Sequence, residues 1–287
     1  LFAKINAMTA LINGRIIIKA MVGEEFMFSN KEIWETALKQ SAYDCSCKPE
    51  DFLQPENKVV VWKEEPRARA YLPRPIECDL VSYGGNIVAS VRKDLVGVIS
   101  DYINEYPVEH CFETPNIYLL NSLLEPHNLK VCFMAEYFLP VPENMEMFSC
   151  DFQIRMLNPQ DFAGLYSNEW KNALCRERKE RDILAAGAYD NGRLIGLAGA
   201  SADCEELYQI GIDVLPEYRR RGVASALISR LAGEILALNK VPFYCAAWAN
   251  IKSIRSALKC GFKPAWTEMT ARRTEYINSL YAAQKNK

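Results

Sequence analysis

"VLPEYRRRGVASAL", residues 214–227, joins the end of an apolar strand to an alanine-rich helix. Between the two lie Pro216, three consecutive arginines and Gly222. Three adjacent positive charges repel one another unless an anion approaches them. A helix that begins near Arg220 also points its free N–H groups and a partial positive charge back toward the strand end. The stretch therefore predicts an anion-binding site at a helix N-terminus.

The residue types in this junction suit a phosphate group. Gly222 has no side chain, so an anion can approach the backbone closely, and Ala224 keeps the next turn small. The arginine guanidinium groups offer N–H donors in a rigid fork that matches phosphate. The junction lacks the Gly-Lys-Ser/Thr ending of a P-loop, which disfavours hydrolysis of a nucleoside triphosphate.

The second half of the chain alternates strands and helices around this junction. Asn158-Pro159 is typical of a helix start, Asn191-Gly192 of a type I′ hairpin turn, and Gly261 of a helix end. Strands are predicted at 152–157, 183–201 (a hairpin), 207–214, 243–248 and 265–273, with a helix at 250–260. Another helical face is predicted at Val223, Leu227, Leu231, Ile235 and Leu238. The order β-α-ββ-β-α-β-α-β predicts a mixed α/β fold.

The first half reads as a smaller α+β domain. Helices are predicted at 30–42, 94–106 and 115–125, and strands at 58–62, 77–91 (a hairpin) and 130–139. The two prolines of "FLPVPENMEM", residues 138–147, predict a domain boundary, which gives domains at 1–147 and 148–287. No catalytic constellation stands out in the first domain, although it holds both histidines, His110 and His127.

Composition limits the classes of partner. The 287 residues hold 34 basic and 36 acidic side chains, a net charge of −2, so no bulk basic surface for nucleic acid is expected. The ten cysteines are scattered without a CxxC pair, which predicts buried thiols of a reducing, cytoplasmic environment and no metal site. Charged residues interrupt every apolar run, including residues 1–22, so neither a membrane span nor a signal peptide is predicted.

The junction resembles the acetyl-CoA signature of the GNAT superfamily of N-acetyltransferases. That signature reads Arg/Gln-x-x-Gly-x-Gly/Ala after a strand that ends Val-x-Pro, as Arg219–Ala224 does after Val214–Pro216. Asn250, Ser253 and Gly261-Phe262 resemble the family's Asn-x-x-Ser/Ala helix that ends in Gly-Phe. The resemblance covers residues 150–272. It implies a GNAT-like acyl-CoA N-acyltransferase fold, acetyl-CoA as co-substrate without a metal, and a primary amine of a small molecule or peptide as acceptor.

The resemblance also implies which residues bind the co-substrate. Backbone N–H groups of Arg221–Ala224 are expected to hold the pyrophosphate, and strand 207–214 is expected to pair with the pantetheine arm. The Ile212 N–H is expected to polarise the acetyl carbonyl, with Val214 holding an amide further along. Asn250 and Ser253 either contact pantetheine or only cap their helix. The implied binding set is Ile212, Val214, Arg219, Arg220, Arg221, Gly222, Val223, Ala224, Asn250 and Ser253.

Three positions leave the chemistry open. Ala257 stands where many family members have a tyrosine that protonates the departing thiolate, and Tyr208 stands where the family has a glutamate. Glu206 has the same strand parity as Tyr208, so a catalytic pair is expected in which Glu206 is a base through water and Tyr208 an acid. The alternative for Glu206 is a solvated strand entry. Gly211 fits a bulge, a close ligand approach or a simple strand irregularity.

Three functions compete for this sequence. The first is an N-acetyltransferase that works by direct attack within a ternary complex. The second, which Ala257 motivates, is a non-catalytic acyl-CoA binding or sensing module. The third, nucleic-acid binding through the arginine run, is disfavoured by the net charge. The N-terminal domain is expected to shape the acceptor pocket or to form a homodimer contact, and a degenerate GNAT-like copy is a further alternative.

Overall fold

A computed structural model gives the fold and describes residues 16–17 and 28–285. The sequence-based expectations about residues 1–22 therefore lie outside the described residues, apart from a two-residue strand. The described helices are α1 Asn30–Cys45, α2 Val96–Glu105, α3 Asn116–Leu124, α4 Pro159–Phe162, α5 Val223–Ala237, α6 Ile251–Lys259 and α7 Thr274–Lys285. The described strands are β1 Ile16–Ile17, β2 Lys58–Val61, β3 Cys78–Ser82, β4 Val88–Val91, β5 Leu129–Pro140, β6 Glu146–Met147, β7 Gln153–Leu157, β8 Asp182–Asp190, β9 Arg193–Ser201, β10 Leu207–Val214, β11 Val241–Ala246 and β12 Phe262–Arg273. None of the helices in this part of the chain has the length and apolar character needed to cross a membrane.

The residues divide into two compact units, and neither unit is a continuous stretch of chain. Unit 1 comprises Leu1–Thr36, Phe138–Cys245 and Asn250–Pro264. Unit 2 comprises Ala37–Tyr137, Ala246–Ala249 and Ala265–Lys287. The domain boundary near residue 147 stays a prediction.

Unit 1 is built on a mixed sheet in the order β11-β10-β9-β8-β7. Strands β7 to β10 are antiparallel neighbours, whereas β10 and β11 are parallel. The β8–β9 hairpin turns at Asn191 and Gly192, whose φ angles of 47° and 85° are those that a type I′ turn requires. This turn is confirmed, and so is the helix start at Asn158, whose side chain accepts hydrogen bonds from the N–H groups of Gln160 and Asp161.

Helix α5 packs against this sheet with the predicted apolar face. Val223, Leu227, Leu231 and Ile235 are buried, whereas Leu238 is 54% exposed. The inclusion of Leu238 in that face was wrong, because the helix ends at Ala237 and Leu238 is its C-cap.

A glycine on β9 brings α5 close to the sheet. A Cβ at Gly196 would lie 2.8 Å from a Val223 methyl carbon, so glycine allows β9 to contact the first turn of the helix.

Unit 2 has a second run of strands and its own core. Its strands follow the order β2-β4-β3-β12-β5. Strand β12, from the C-terminal end of the chain, pairs with β3 from Thr267↔Ser82 to Ala271↔Cys78. Helices α2 and α3 contribute Ile99, Tyr102 and Leu120 to a core that also contains Met269 of β12. The α+β character predicted for the first half is therefore found in unit 2, which also includes β12 from the C-terminal part of the chain.

Candidate active site

The junction after β10 has the backbone of an anion-binding loop. After β10 ends at Val214, residues Pro216–Tyr218 form a single 3-10 turn. Arg220 and Gly222 then adopt left-handed conformations, with φ angles of 63° and 80°, and α5 begins at the next residue. Left-handed residues in such a turn direct successive N–H groups into one concavity that attracts anions. The 15-residue helix α5 adds its dipole to the same place.

Three arginine side chains surround this loop. Arg219, Arg220 and Arg221 are all exposed. The Arg219 Nε donates to the Val214 carbonyl oxygen at 3.0 Å, and the Arg221 guanidinium lies 4.4 Å from the centre of the Phe152 ring. Within the described residues none of the three forms an ion pair with a carboxylate. Three positive charges are thus available to a bound anion.

Strands β10 and β11 separate just before this loop. Their parallel pairs run from Leu207↔Val241 to Ile210↔Tyr244. On the other side, β10 stays paired with β9 as far as Val214↔Gly196. In the described chain, residues 211–214 therefore have a strand partner on one edge only.

The open edge carries the N–H groups of Ile212 and Val214. The Leu215 N–H donates to the Ile195 carbonyl oxygen of β9, whereas the Glu206 carbonyl oxygen accepts from the Val241 N–H of β11. Because polar backbone groups alternate between the two edges of a strand, even-numbered residues of β10 point toward the β11 side. Both residues implied by the family resemblance therefore direct unshared N–H groups into the gap between the strands.

A hydroxyl pair that the sequence reading missed lies where the two strands separate. Tyr244 is buried in β11 beside Ile210, and its hydroxyl lies 2.8 Å from the Ser253 Oγ of α6. Burial raises the pKa of Tyr244 to about 12, which keeps it protonated at neutral pH. The only local signal was a tyrosine within the otherwise apolar strand "FYCAAW".

The other two positions on α6 also have defined places. Asn250 is the N-cap of α6, and its side chain accepts from the Ser253 N–H at 3.4 Å. Ala257 is fully buried one turn after Ser253 on the same helical face. Capping, one of the two roles considered for Asn250, is therefore present in the structure.

Glu206 and Tyr208 lie at the opposite end of β10 from the left-handed turn of Arg220 and Gly222. Glu206 forms an ion pair with Lys240 at 3.3 Å, and Tyr208 pairs with Pro242 where β10 and β11 are still joined. At the usual strand rise, Tyr208 is about 13 Å and Glu206 about 20 Å from Ile212 along the strand. Partial burial raises the pKa of Tyr208, and the nearby Lys240 opposes this effect. The structure does not bring this pair together with the loop.

Gly211 makes room for the protein's own backbone. A Cβ at this position would lie 1.8 Å from the Asn172 carbonyl oxygen, and one at the paired Gly199 would lie 1.9 Å from that of Ala173. The Asp213 carboxylate accepts hydrogen bonds from the N–H groups of Asn172 and Ala173, at 2.8 and 3.0 Å. The group that approaches Gly211 is a loop of the chain itself, which was not among the alternatives considered for this residue.

The described residues contain no cluster of three or more His, Cys, Asp or Glu side chains that is arranged to hold a metal ion.

Comparison with known proteins finds a family model that matches part of the chain. Residues 143–262 match the model of the Acetyltransferase (GNAT) family. No curated protein matches the chain.

Several solved structures resemble parts of the chain. One is an acetyltransferase of the GNAT family from Novosphingobium aromaticivorans, with 21% identity over 50% of this chain and 66% of that one, and a TM-score of 0.37. Another is a GCN5-related N-acetyltransferase-like protein from Streptococcus suis, with 15% identity over 56% and 69% of the two chains and a TM-score of 0.41. A third is an aminoglycoside N-acetyltransferase in complex with CoA, with 23% identity over 40% and 90% and a TM-score of 0.32. The chain thus spans just under two thirds of the first of these structures. The family model thus matches the part of the chain that carries the GNAT resemblance, and it covers less than half of the chain.

Proposed function

We propose that the protein transfers an acetyl group from acetyl-CoA to a primary amine of a small molecule or peptide. The observation that carries this proposal is the open edge of β10, which ends directly at the left-handed turn of Arg220 and Gly222. A linear ligand with amides at one end and phosphates at the other is complementary to this arrangement. Acetyl-CoA has that order of groups, and the family match points to the same co-substrate.

The co-substrate is assigned to specific groups of the chain. The backbone N–H groups of Arg221, Gly222, Val223 and Ala224 bind the pyrophosphate. Arg219 and Arg220 are to add positive charge at the rim. The Ile212 N–H contacts the acetyl carbonyl oxygen and the Val214 N–H contacts a pantetheine amide, so the pantetheine arm extends the sheet as a strand-like partner. Asn250 and Ser253 flank the gap from α6.

The proposed reaction is a direct transfer without an acetyl-enzyme. The amine nitrogen attacks the acetyl carbonyl carbon, whose oxygen the Ile212 N–H stabilises as charge develops on it. The C–S bond then breaks, sulfur takes the electron pair, and the amine loses one proton while the thiolate gains one. About one part in a thousand of an amine with a pKa near 10 is neutral at pH 7, so a proton acceptor accelerates the attack.

Two hydroxyl groups compete for the role of donor to the thiolate. The sequence-based candidate is Tyr208, with Glu206 as base, and the structure-based candidate is Tyr244 with Ser253. Tyr244 lies beside Ile210, about 7 Å along the strand from Ile212, which is roughly half the separation of Tyr208. This shorter separation favours Tyr244. Its raised pKa makes it a hydrogen-bond donor to the developing thiolate, and the proton then reaches sulfur from water.

The second candidate function is non-catalytic binding or sensing of an acyl-CoA. Ala257 favours it, because a buried methyl group stands where many relatives have the tyrosine donor. Both functions predict CoA binding, whereas only the first predicts turnover.

One experiment separates the two functions. The protein is titrated with CoA by calorimetry and then incubated with acetyl-CoA and a panel of amines, with a dye that detects released thiol. Binding together with amine-dependent thiol release supports the transferase. Binding with thiol release no faster than in the absence of protein supports the sensing module. Absence of CoA binding contradicts both.

Arg219 provides a check on how the anion is held. Arg219→Ala is expected to weaken CoA binding by about 1.5–3 kcal/mol if a charge-assisted hydrogen bond is lost. Salt-dependent binding of DNA at the same arginines would instead favour the nucleic-acid function. The cytoplasmic location, the homodimer and the acceptor-shaping role of the N-terminal domain stay predictions.

A further inference from the structure

Unit 2 contains a cavity that the proposed acetyl transfer does not use. Its volume is about 280 Å³, just below the usual range of small-ligand pockets. One wall is the strand β12, where Glu268, Thr270 and Arg272 alternate along the same face. Phe133 and Tyr276 line the cavity with aromatic rings that are 44% and 43% exposed. Exposed aromatic rings around a concave surface are typical of a binding site.

The inner end of the cavity carries an excess of negative charge. The Glu268 side chain is 1% exposed and forms an ion pair with Arg69 at 3.1 Å. The same guanidinium also pairs with the equally buried Asp44. Asp79 is a third buried carboxylate of this group, and one of its oxygens has no hydrogen-bond partner. One arginine thus faces three carboxylates, of which Glu268 reaches the cavity.

This charge excess is costly in the absence of a further cation. Burial raises the pKa of Asp79, and the nearby Glu268 raises it further. Burial also raises the pKa of Glu268, an effect that Asp44 reinforces and Arg69 opposes. Buried carboxylates without enough cations destabilise a fold unless they are protonated or neutralised. An ammonium group at the inner end would supply the missing positive charge.

The outer end of the cavity carries the opposite charge. Arg272 lies over the Tyr276 ring, with its guanidinium carbon 4.5 Å from the ring centre. Among the described residues no carboxylate pairs with Arg272, whereas its neighbour Arg273 pairs with Glu77 at 2.7 Å. A guanidinium that is held by a ring and lacks a carboxylate is well suited to bind one from a ligand.

We propose that this cavity binds a linear zwitterion, with its ammonium group at Glu268 and its carboxylate at Arg272. The two residues are four positions apart on β12, which places their Cα atoms about 13 Å apart. Both side chains reduce that distance, so several methylene groups are needed between the charges of the ligand. The aromatic rings contact this aliphatic chain.

The test uses the full-length protein and a set of simple probes. Binding of linear ω-amino acids from glycine to ε-aminocaproate is measured by calorimetry, alongside hexylamine and hexanoate, which each keep one charged end. The expected result is that ε-aminocaproate binds at least tenfold more tightly than hexylamine, hexanoate or glycine. The proposal is overturned if no ω-amino acid binds more tightly than both single-ended probes.

Variants on adjacent positions of β12 localise the binding. Arg272→Gln should reduce the affinity for ε-aminocaproate to that for hexylamine, whereas Arg273→Gln should leave it unchanged. Equal affinities in these two variants would contradict the site. Glu268→Gln should remove the advantage of ε-aminocaproate over hexanoate. Because Glu268 is part of a buried ion pair, a loss of fold in that variant leaves the decision to the Arg272 and Arg273 pair, which lie nearer the surface.

Discussion

Replacing Gly222 by alanine tests whether the left-handed turn before α5 is the co-substrate site. Gly222 has a φ of 80°, which an L-residue adopts at a cost of about 1–2 kcal/mol. A Cβ at this position would lie 3.6 Å from the Ser149 carbonyl oxygen and 3.8 Å from the Cys150 Cβ, both ordinary contacts. The added methyl group therefore introduces backbone strain without a steric clash.

The expected effect on CoA affinity follows from that strain. The turn is exposed, so the unliganded variant can relax toward right-handed conformations. In those conformations the N–H groups of Arg221 and Val223 point away from the anion. CoA binding then has to restore the left-handed turn, so the binding free energy becomes less favourable by the same 1–2 kcal/mol. This loss corresponds to roughly fivefold to thirtyfold weaker binding. Gly222→Glu adds a negative charge as well and should weaken binding further.

Gly192 is a matched control within the same unit. It has a φ of 85° and open space around its Cβ position, but it lies in the β8–β9 turn. Gly192→Ala should lose a similar 1–2 kcal/mol of unfolding free energy in urea while CoA affinity in calorimetry stays at the parent value. If Gly222→Ala also binds CoA as tightly as the parent, the pyrophosphate is not held at this turn.

Three further outcomes are expected. Tyr244→Phe should lower turnover at least about tenfold with CoA affinity unchanged, and a drop of that size in Tyr208→Phe alone would assign the donor to Tyr208 instead. Burial raises the pKa of Asp182 to about 6, so the folded state holds an extra proton between about pH 4 and 6 and the unfolding free energy falls by about 3 kcal/mol as pH rises through that window. In Asp182→Asn, the unfolding free energy measured in urea should no longer fall between about pH 4 and pH 6. An unchanged fall would show that other groups cause it. Intact-mass spectrometry after incubation with acetyl-CoA alone should show no acetyl adduct on Cys245 or Cys260, and a stoichiometric adduct would contradict direct transfer.

Local sequence patterns were sufficient for the elements around the proposed co-substrate site. The positive φ angles at Asn191-Gly192 and at Gly222 follow from residues that tolerate left-handed backbone. The start of α5 and the end of α6 follow from glycines at Gly222 and Gly261. These features depend on a few neighbouring residues, so a sequence can show them without any knowledge of distant partners.

Features that depend on distant partners were not predictable. Strand β12 pairs with β3 across about two thirds of the chain, and no local pattern specifies that partner. Arg69, in the segment "EEPRARAYLP", is 1% exposed because Asp44 and Glu268 satisfy its charge, and both partners are distant in the sequence. The predicted strand 243–248 runs instead over Val241–Ala246 and stops before Trp248, which is 43% exposed. Its apolar residues alone do not reveal where burial ends.

The glycine pair Gly199–Gly211 has a consequence for the exchange of backbone hydrogens with solvent. Loop amides usually exchange rapidly, because small local openings are enough to expose them. The N–H groups of Asn172 and Ala173 donate to the Asp213 carboxylate. The carbonyl groups of the same two loop residues occupy the space that side chains at Gly211 and Gly199 would need. Exchange of these two N–H groups requires the Asp213 carboxylate to release them. In hydrogen–deuterium exchange we therefore expect them to exchange more slowly than loop amides of unit 1 that have no such partner.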